Sequence, residues 1–193
     1  MKTIVLLFSC VFFVQCSSDR TISPLTEKED LIFQEFDKMD ERNKVFITDK
    51  NEPGEPLILC LTFVDKDTGQ ALSNQKVSFY HTSNEGEYEP SNLNDETTAR
   101  LNGTAISDTS GRVYVKTILP GDYGSSENNR HIHTTVYGAR PENYDIFFKQ
   151  FSGGMGSLMN AGNDQMFYTQ LKRTANNELI CFLTIEAKDP KSN

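Results

Sequence analysis

Apolar and polar positions alternate in two different rhythms along this chain. Near the amino terminus Ile32, Phe36 and Met39 recur at the spacing of one helix face. They follow Thr26-Glu27-Lys28-Glu29, where a threonine precedes an acidic residue by three positions, the pattern of a capping box. Together these predict one amphipathic helix over residues 27–43. A charged connector bearing Pro and Gly covers 49–56, and beyond it the period shortens to two. Runs rich in Val, Ile, Phe, Tyr and Thr occupy 56–64, 75–82, 103–107, 112–118, 131–137, 145–151, 166–171 and 179–187. Turn signals stand between them, among them Asp65-Lys66-Asp67-Thr68-Gly69, Ser83-Asn84-Glu85-Gly86, Asp108-Thr109-Ser110-Gly111 and Pro120-Gly121-Asp122. Strands at this spacing after a single helix predict an all-β fold, an antiparallel β-sandwich or barrel. No fixed repeat length runs through them, which excludes a solenoid.

The first residues follow neither rhythm. After the short basic start Met1-Lys2-Thr3, residues 4–14 are almost continuously apolar. That is the length of a signal-peptide core and too short to cross a bilayer with margin. The run ends at Phe13-Val14-Gln15-Cys16, then Ser17-Ser18-Asp19, which resembles a bacterial lipoprotein signal in which Cys16 is lipidated and becomes the first mature residue. The rival Leu7-Phe8-Ser9-Cys10 has a better small residue before its cysteine but would leave Val11-Phe12-Phe13-Val14 on the mature chain. The expected organisation is a signal peptide over 1–15, a tether with the short helix over 16–52, a β-sandwich domain over 53–187 and a tail over 188–193. The expected location is outside the cytoplasm, as a periplasmic, outer-membrane or cell-surface lipoprotein that meets the membrane only through its lipid anchor.

Composition narrows the function classes. The 13 Phe and 7 Tyr supply enough apolar bulk for one globular domain in 193 residues and argue against a disordered chain. A net charge of −8 argues against a partner held by its phosphates, so no nucleic acid is expected. Cys10 and Cys16 belong to the leader, which leaves Cys60 and Cys181, both in strand-like runs. An exported chain could oxidise them to a disulfide, and two separate buried thiols fit as well. Without any Cys-x-x-Cys a cysteine zinc site is not expected.

The chemistry concentrates in the histidines, of which there are only 3. His131-Ile132-His133 lies in a predicted strand, where residues two apart share a face, so both imidazoles project together as neighbouring nitrogen donors for a metal. Two surface histidines would give the same pattern. His81 stands on a different predicted strand, where a backbone hydrogen bond is its simplest role. Neither a Gly-x-Ser-x-Gly elbow nor a Cys-His arrangement offers a nucleophile.

Several blocks occur in a telling order: Asp65-Lys66-Asp67-Thr68-Gly69-Gln70-Ala71-Leu72, Val77-Ser78-Phe79-Tyr80-His81, Gly86-Glu87-Tyr88, Ser107-Asp108-Thr109-Ser110-Gly111-Arg112-Val113, Lys116-Thr117-Ile118-Leu119-Pro120-Gly121-Asp122-Tyr123 and His131-Ile132-His133. Over about residues 53–187 this series resembles the intradiol ring-cleavage dioxygenases, the family of the protocatechuate and catechol dioxygenases. The long helical dimerisation segment of the catechol branch has no counterpart, so the chain resembles a stand-alone catalytic domain, and a homo-oligomer stays open. The resemblance implies a transthyretin-like sandwich with a non-haem Fe(III) on Tyr88, Tyr123, His131 and His133. Hard, anionic phenolate oxygens suit a ferric ion better than Mg or Ca. The resemblance also implies a small aromatic diol and O2 as substrates, with the ring opened between its two hydroxyl carbons and Tyr123 giving way to the diol.

The chain departs from the family pattern in places. Where the family usually has an Arg, three residues before the first histidine, stands Asn128. Arg130 is close by, but directly before His131 strand alternation turns it to the other face. Tyr80 replaces a common Trp, and Gln150 resembles a glutamine that follows the family's later strand. The expected catalytic set is therefore Tyr123, Arg130 and Gln150. A second reading is a surface-anchored, non-catalytic binding module that keeps the metal or ligand site.

Overall fold

The structure is a computed structural model that describes residues 21–124, 127–153 and 164–188. The expected signal peptide, its Cys16 and the tail beyond Lys188 lie outside the described residues. Helix α1 (Glu27–Asp37) opens on the capping box read from the sequence. The Thr26 hydroxyl accepts the Glu29 N–H at 3.3 Å, and the Glu29 carboxylate accepts the Thr26 N–H at 2.8 Å, so two of the amides that a helix start leaves unpaired are satisfied. Among the described residues no helix is long and apolar enough to cross a membrane.

The helix ends at Asp37, short of the expected residue 43. Met39 N–H turns back to the Phe36 carbonyl at 3.2 Å, and a single 3-10 turn, Glu41–Asn43, follows. Asn43 is buried and its side-chain amide donates to the Ile106 carbonyl at 2.7 Å, which ties the chain to the sheets. Met39 reaches the same apolar cluster as Phe36 from the turn after the helix, so its spacing misled.

Two five-stranded sheets form the sandwich expected from the sequence. The strands are β1 (Lys44–Phe46), β2 (Pro56–Asp65), β3 (Lys76–His81), β4 (Leu101–Ile106), β5 (Arg112–Ile118), β6 (His131–Val136), β7 (Asn143–Phe148), β8 (Met166–Thr169), β9 (Lys172–Arg173) and β10 (Leu179–Ala187). The first sheet has the order β1-β5-β2-β10-β9 and the second β4-β3-β6-β7-β8. Most pairings are antiparallel, but β1 with β5, β2 with β10 and β7 with β8 run parallel. The short strands β1 and β9 carry too few residues to show a period.

Leu57, Leu59, Leu61 and Phe63 of β2 point into the space between the sheets, whereas Ile58 and Cys60 point outward against Phe36 and Met39. Burial on both faces explains why β2 reads as an unbroken apolar run. It also decides the cysteines. Parallel β2 and β10 pair Cys60 with Phe182 and Cys181 with Leu59, so the two thiols lie one residue out of step and on opposite faces of the sheet. Both are free and buried, and no disulfide joins them. The second sheet shows the opposite pattern. Along β6, Ile132, Thr134 and Val136 are buried while His131, His133 and Thr135 alternate outward, half-buried. Its outer face carries the chemistry.

Candidate metal centre

Cross-strand register sets the floor of the site. His133 pairs with Tyr80 of β3 on one side and with Asp145 of β7 on the other, and His131 pairs with Phe147. Each imidazole is thereby flanked by a ring. Tyr80 stacks on His133 at 4.5 Å between centroids and 19°, and Phe147 stacks on His131 at 5.0 Å and 26°.

Two loops form the roof, residues 82–100 carrying Tyr88 and residues 119–130 carrying Tyr123. They meet backbone to backbone. Gly121 N–H donates to the Ser83 carbonyl at 2.8 Å, and the Thr82 hydroxyl donates to the Gly121 carbonyl at 3.2 Å. A Cβ at Gly86, whose φ is +90°, would collide with the Asp122 carbonyl, and one at Gly121 with the backbone of Gly86 and Asn84. Glycine at both positions is what allows the two tyrosine loops to touch.

The side chains then converge. His131 Nδ1 lies 3.0 Å from the Asn129 carbonyl and His133 Nδ1 lies 2.7 Å from Asp145 Oδ1, both acceptors, so each Nδ1 carries the proton. The Nε2 atoms are left as lone pairs and face one another at 3.1 Å. Tyr88 O–H donates to His133 Nε2 at 2.8 Å. Two lone pairs this close repel unless a proton or a cation lies among them. Two donors about 2.1 Å from one ion and at right angles are about 3 Å apart, so these spacings suit one metal ion. Burial, and then the neighbouring His133, hold the His131 ring below the usual histidine range, which keeps it a neutral donor. Burial, and then the charge of Glu96, push the Tyr88 phenol well above its ordinary value, so only a strong Lewis acid would displace its proton.

Tyr123 stands beside this group with its hydroxyl turned away. Its ring is 5.2 Å from that of Tyr88 and 6.4 Å from that of His131, centroid to centroid, while its O–H donates to Glu96 Oε1 at 3.2 Å. The Glu96 charge, and then this bond, raise its pKa. Of the four expected ligands, three converge and the fourth lies at the margin, 41% exposed. Among the described residues no group of three or more His, Cys, Asp and Glu gathers to hold a metal; the cluster here is two histidines with Tyr88.

The other expected site residues are placed differently. Gln150 is buried and spends its amide on Leu171, donating to its carbonyl and accepting its N–H, each at 3.0 Å. It clamps two chain segments together, where a catalytic pocket role was expected. Arg130 lies outside β6, its Nε 3.3 Å from Asp122 Oδ2 and its guanidinium over the Phe151 ring at 4.6 Å. Its charge is paired with Asp122, so the expected catalytic role stays a proposal. Asn128 has φ +66°, a left-handed conformation that Asn tolerates better than most side chains. His81 is fully buried; its Nδ1 donates to the Thr82 carbonyl at 2.7 Å and its Nε2 accepts the Thr117 hydroxyl at 2.6 Å, the bland role expected of it. Sequence reasoning missed Asp145, the Asn129 carbonyl and Glu96, whose contacts depend on strand register and loop path. Only the outward alternation of Asp145 in Asn143-Tyr144-Asp145 hinted at one of them.

Comparison with known proteins agrees with this fold. A family model described as Dioxygenase matches residues 32–193. The fold is shared with an intradiol ring-cleavage dioxygenase from Tetranychus urticae, at 18% identity and TM-score 0.55 over 79% of this chain and 90% of that one. It is shared also with the dioxygenase domain of a dioxygenase carbohydrate-binding protein fusion from Streptomyces sp. SirexAA-E, at 16% and 0.55 over 78% and 92%. A third structure, 3-chlorocatechol 1,2-dioxygenase from Rhodococcus opacus, aligns at 15% and 0.58 over 78% of this chain and 66% of its own. No curated protein matches the chain in sequence. The chain belongs to the intradiol ring-cleavage dioxygenase family.

Proposed function

We propose that this protein is a non-haem Fe(III) dioxygenase that opens a catechol-type aromatic diol between its two hydroxyl carbons, both atoms of O2 entering the diacid product. The observation that carries this reading is the pair of Nε2 lone pairs at 3.1 Å, each forced inward by an acceptor on its Nδ1, with the Tyr88 hydroxyl closing on them. Tyr88, His131 and His133 would hold the ion, and Tyr123 would add a fourth donor on turning from Glu96. A ferric ion held there would supply the Lewis acidity that activates a diol toward O2. Asp145 and Asn129 keep the imidazoles in one tautomer. Tyr80 and Phe147 shield them from water. Tyr123, tethered to Glu96, stands off the three converging donors.

Protein purified aerobically should be coloured by tyrosinate-to-iron charge transfer, contain iron and consume O2 with catechols. A protein colourless after loading with Fe(III) and inert toward catechols would end this reading. The absent Arg at position 128, with Arg130 held by Asp122, favours one alternative, a site that binds iron and diol without turnover. Colour without O2 uptake would mark it.

Export and anchoring through Cys16 belong to the same proposal and rest on the leader sequence. Labelled fatty acid should enter the wild type in a bacterial host and not the Cys16→Ala variant.

A further inference from the structure

We propose that Glu96 selects substrates by the charge on their tails, so that the site takes ammonium-bearing catechols ahead of neutral ones and neutral ones ahead of carboxylates. The inference rests on the diol-binding reading above and adds the substrate class to it.

Glu96 occupies a built position. It opens the 3-10 turn Glu96–Thr98, where Asp95 Oδ1 accepts the Thr97 N–H at 3.0 Å and the Thr97 O–H at 2.6 Å. Ser91 N–H donates to the Thr98 carbonyl at 3.0 Å and Asn92 N–H to the Thr98 hydroxyl at 2.9 Å, closing the loop on itself. The turn holds the Glu96 carboxylate beside the centre, where Oε1 accepts the Tyr123 hydroxyl at 3.2 Å.

Its neighbours are engaged within the fold, while Glu96 has no cation beside it. Asp145 faces His133, Asp122 faces Arg130 and Glu89 faces Arg100, while Asp95 is spent on the turn. Among the described residues no Lys or Arg pairs with Glu96. The nearby cation is also taken, since Arg130 is held by Asp122 and Phe151. A diol entering past Glu96 meets a carboxylate with no cation on it, which attracts an ammonium and repels an anion.

The test uses iron-loaded protein and three diols with a common ring: 3,4-dihydroxyphenethylamine, 4-ethylcatechol and 3,4-dihydroxyphenylacetate. Kd is read by calorimetry without O2, and kcat/KM by O2 uptake. The amine should lead the ethyl compound, and the ethyl compound the acid, by about two- to fivefold at each step, as expected for an exposed charge, with the spread shrinking in high salt. Glu96→Gln, which keeps an acceptor for Tyr123, should level the series, and Glu96→Lys should invert it. A wild type indifferent to tail charge or partial to the acid, or an order that survives Glu96→Gln, would overturn the proposal. If none of the three diols binds, the diol-binding reading fails first and takes this one with it.

Discussion

At the scale of single residues, the structure divides its three histidines between two jobs that are both set by Nδ1 partners. His81 has both ring nitrogens satisfied in the interior, and burial pushes its pKa down to about 4 from the usual 6.5. The folded ring therefore stays neutral where the unfolded one takes up a proton. Between these values the unfolded state binds more protons, so this contribution to stability is complete above pH 6.5 and is lost as pH falls toward 4. Urea midpoints measured from pH 7.5 to 4 should fall in that window for the wild type, and less steeply for His81→Gln. His133 depends instead on Asp145. Asp145→Ala should lower Fe(III) affinity by about tenfold or more in competition with a chelator, the usual cost of losing a carboxylate behind a histidine ligand. Unchanged affinity would show that the register pair alone fixes the ring. The sequence displayed both donors of the His-x-His pair but not what holds them, because a partner across a sheet is chosen by register and register leaves no local mark.

Elements explain why the four expected ligands were legible as a group while their roof was not. Strands and turns follow local rules, so β3, β5, β6 and β7 fall close to their expected bounds. The helix stop did not, because Lys38-Met39-Asp40 holds no Gly or Pro and the buried Asn43 that ends the excursion acts through a contact 63 residues away. Likewise Gly86 and Gly121 read as ordinary turn residues, and only the fold reveals that each makes room for the other's loop. Gly121→Ala should therefore separate Tyr88 from Tyr123. We expect the variant to keep its far-UV circular dichroism and to lose most of the charge-transfer absorbance after iron loading, whereas full colour would mean that the loops can part without disturbing the donors.

For the molecule as a whole, the interior and the centre are separate structures. The space between the sheets is filled by Leu57, Leu59, Phe63, Phe79, Ile132, Ile146 and Phe148, all almost wholly buried, and none of the donors takes part in that filling. The sandwich should accordingly fold without iron. Stripping the metal with a chelator should lower Tm only by the binding linkage, leaving a cooperative transition, and restoring Fe(III) should raise Tm again in proportion to the logarithm of its free concentration. A chain that unfolds on chelation would contradict this division. An antiparallel sandwich or barrel was readable from period and turn spacing, and the family resemblance selected the sandwich. The position of the chemistry on its outside followed only from seeing which alternate residues of β6 face away from the core.

An active centre mounted on the exterior of a finished scaffold is free to drift. Exchanges in the two rim loops can retune it for another molecule, or silence it, while the hidden leucines and phenylalanines feel no selective tug, so relatives of this chain should differ most where they work and least where they merely stand.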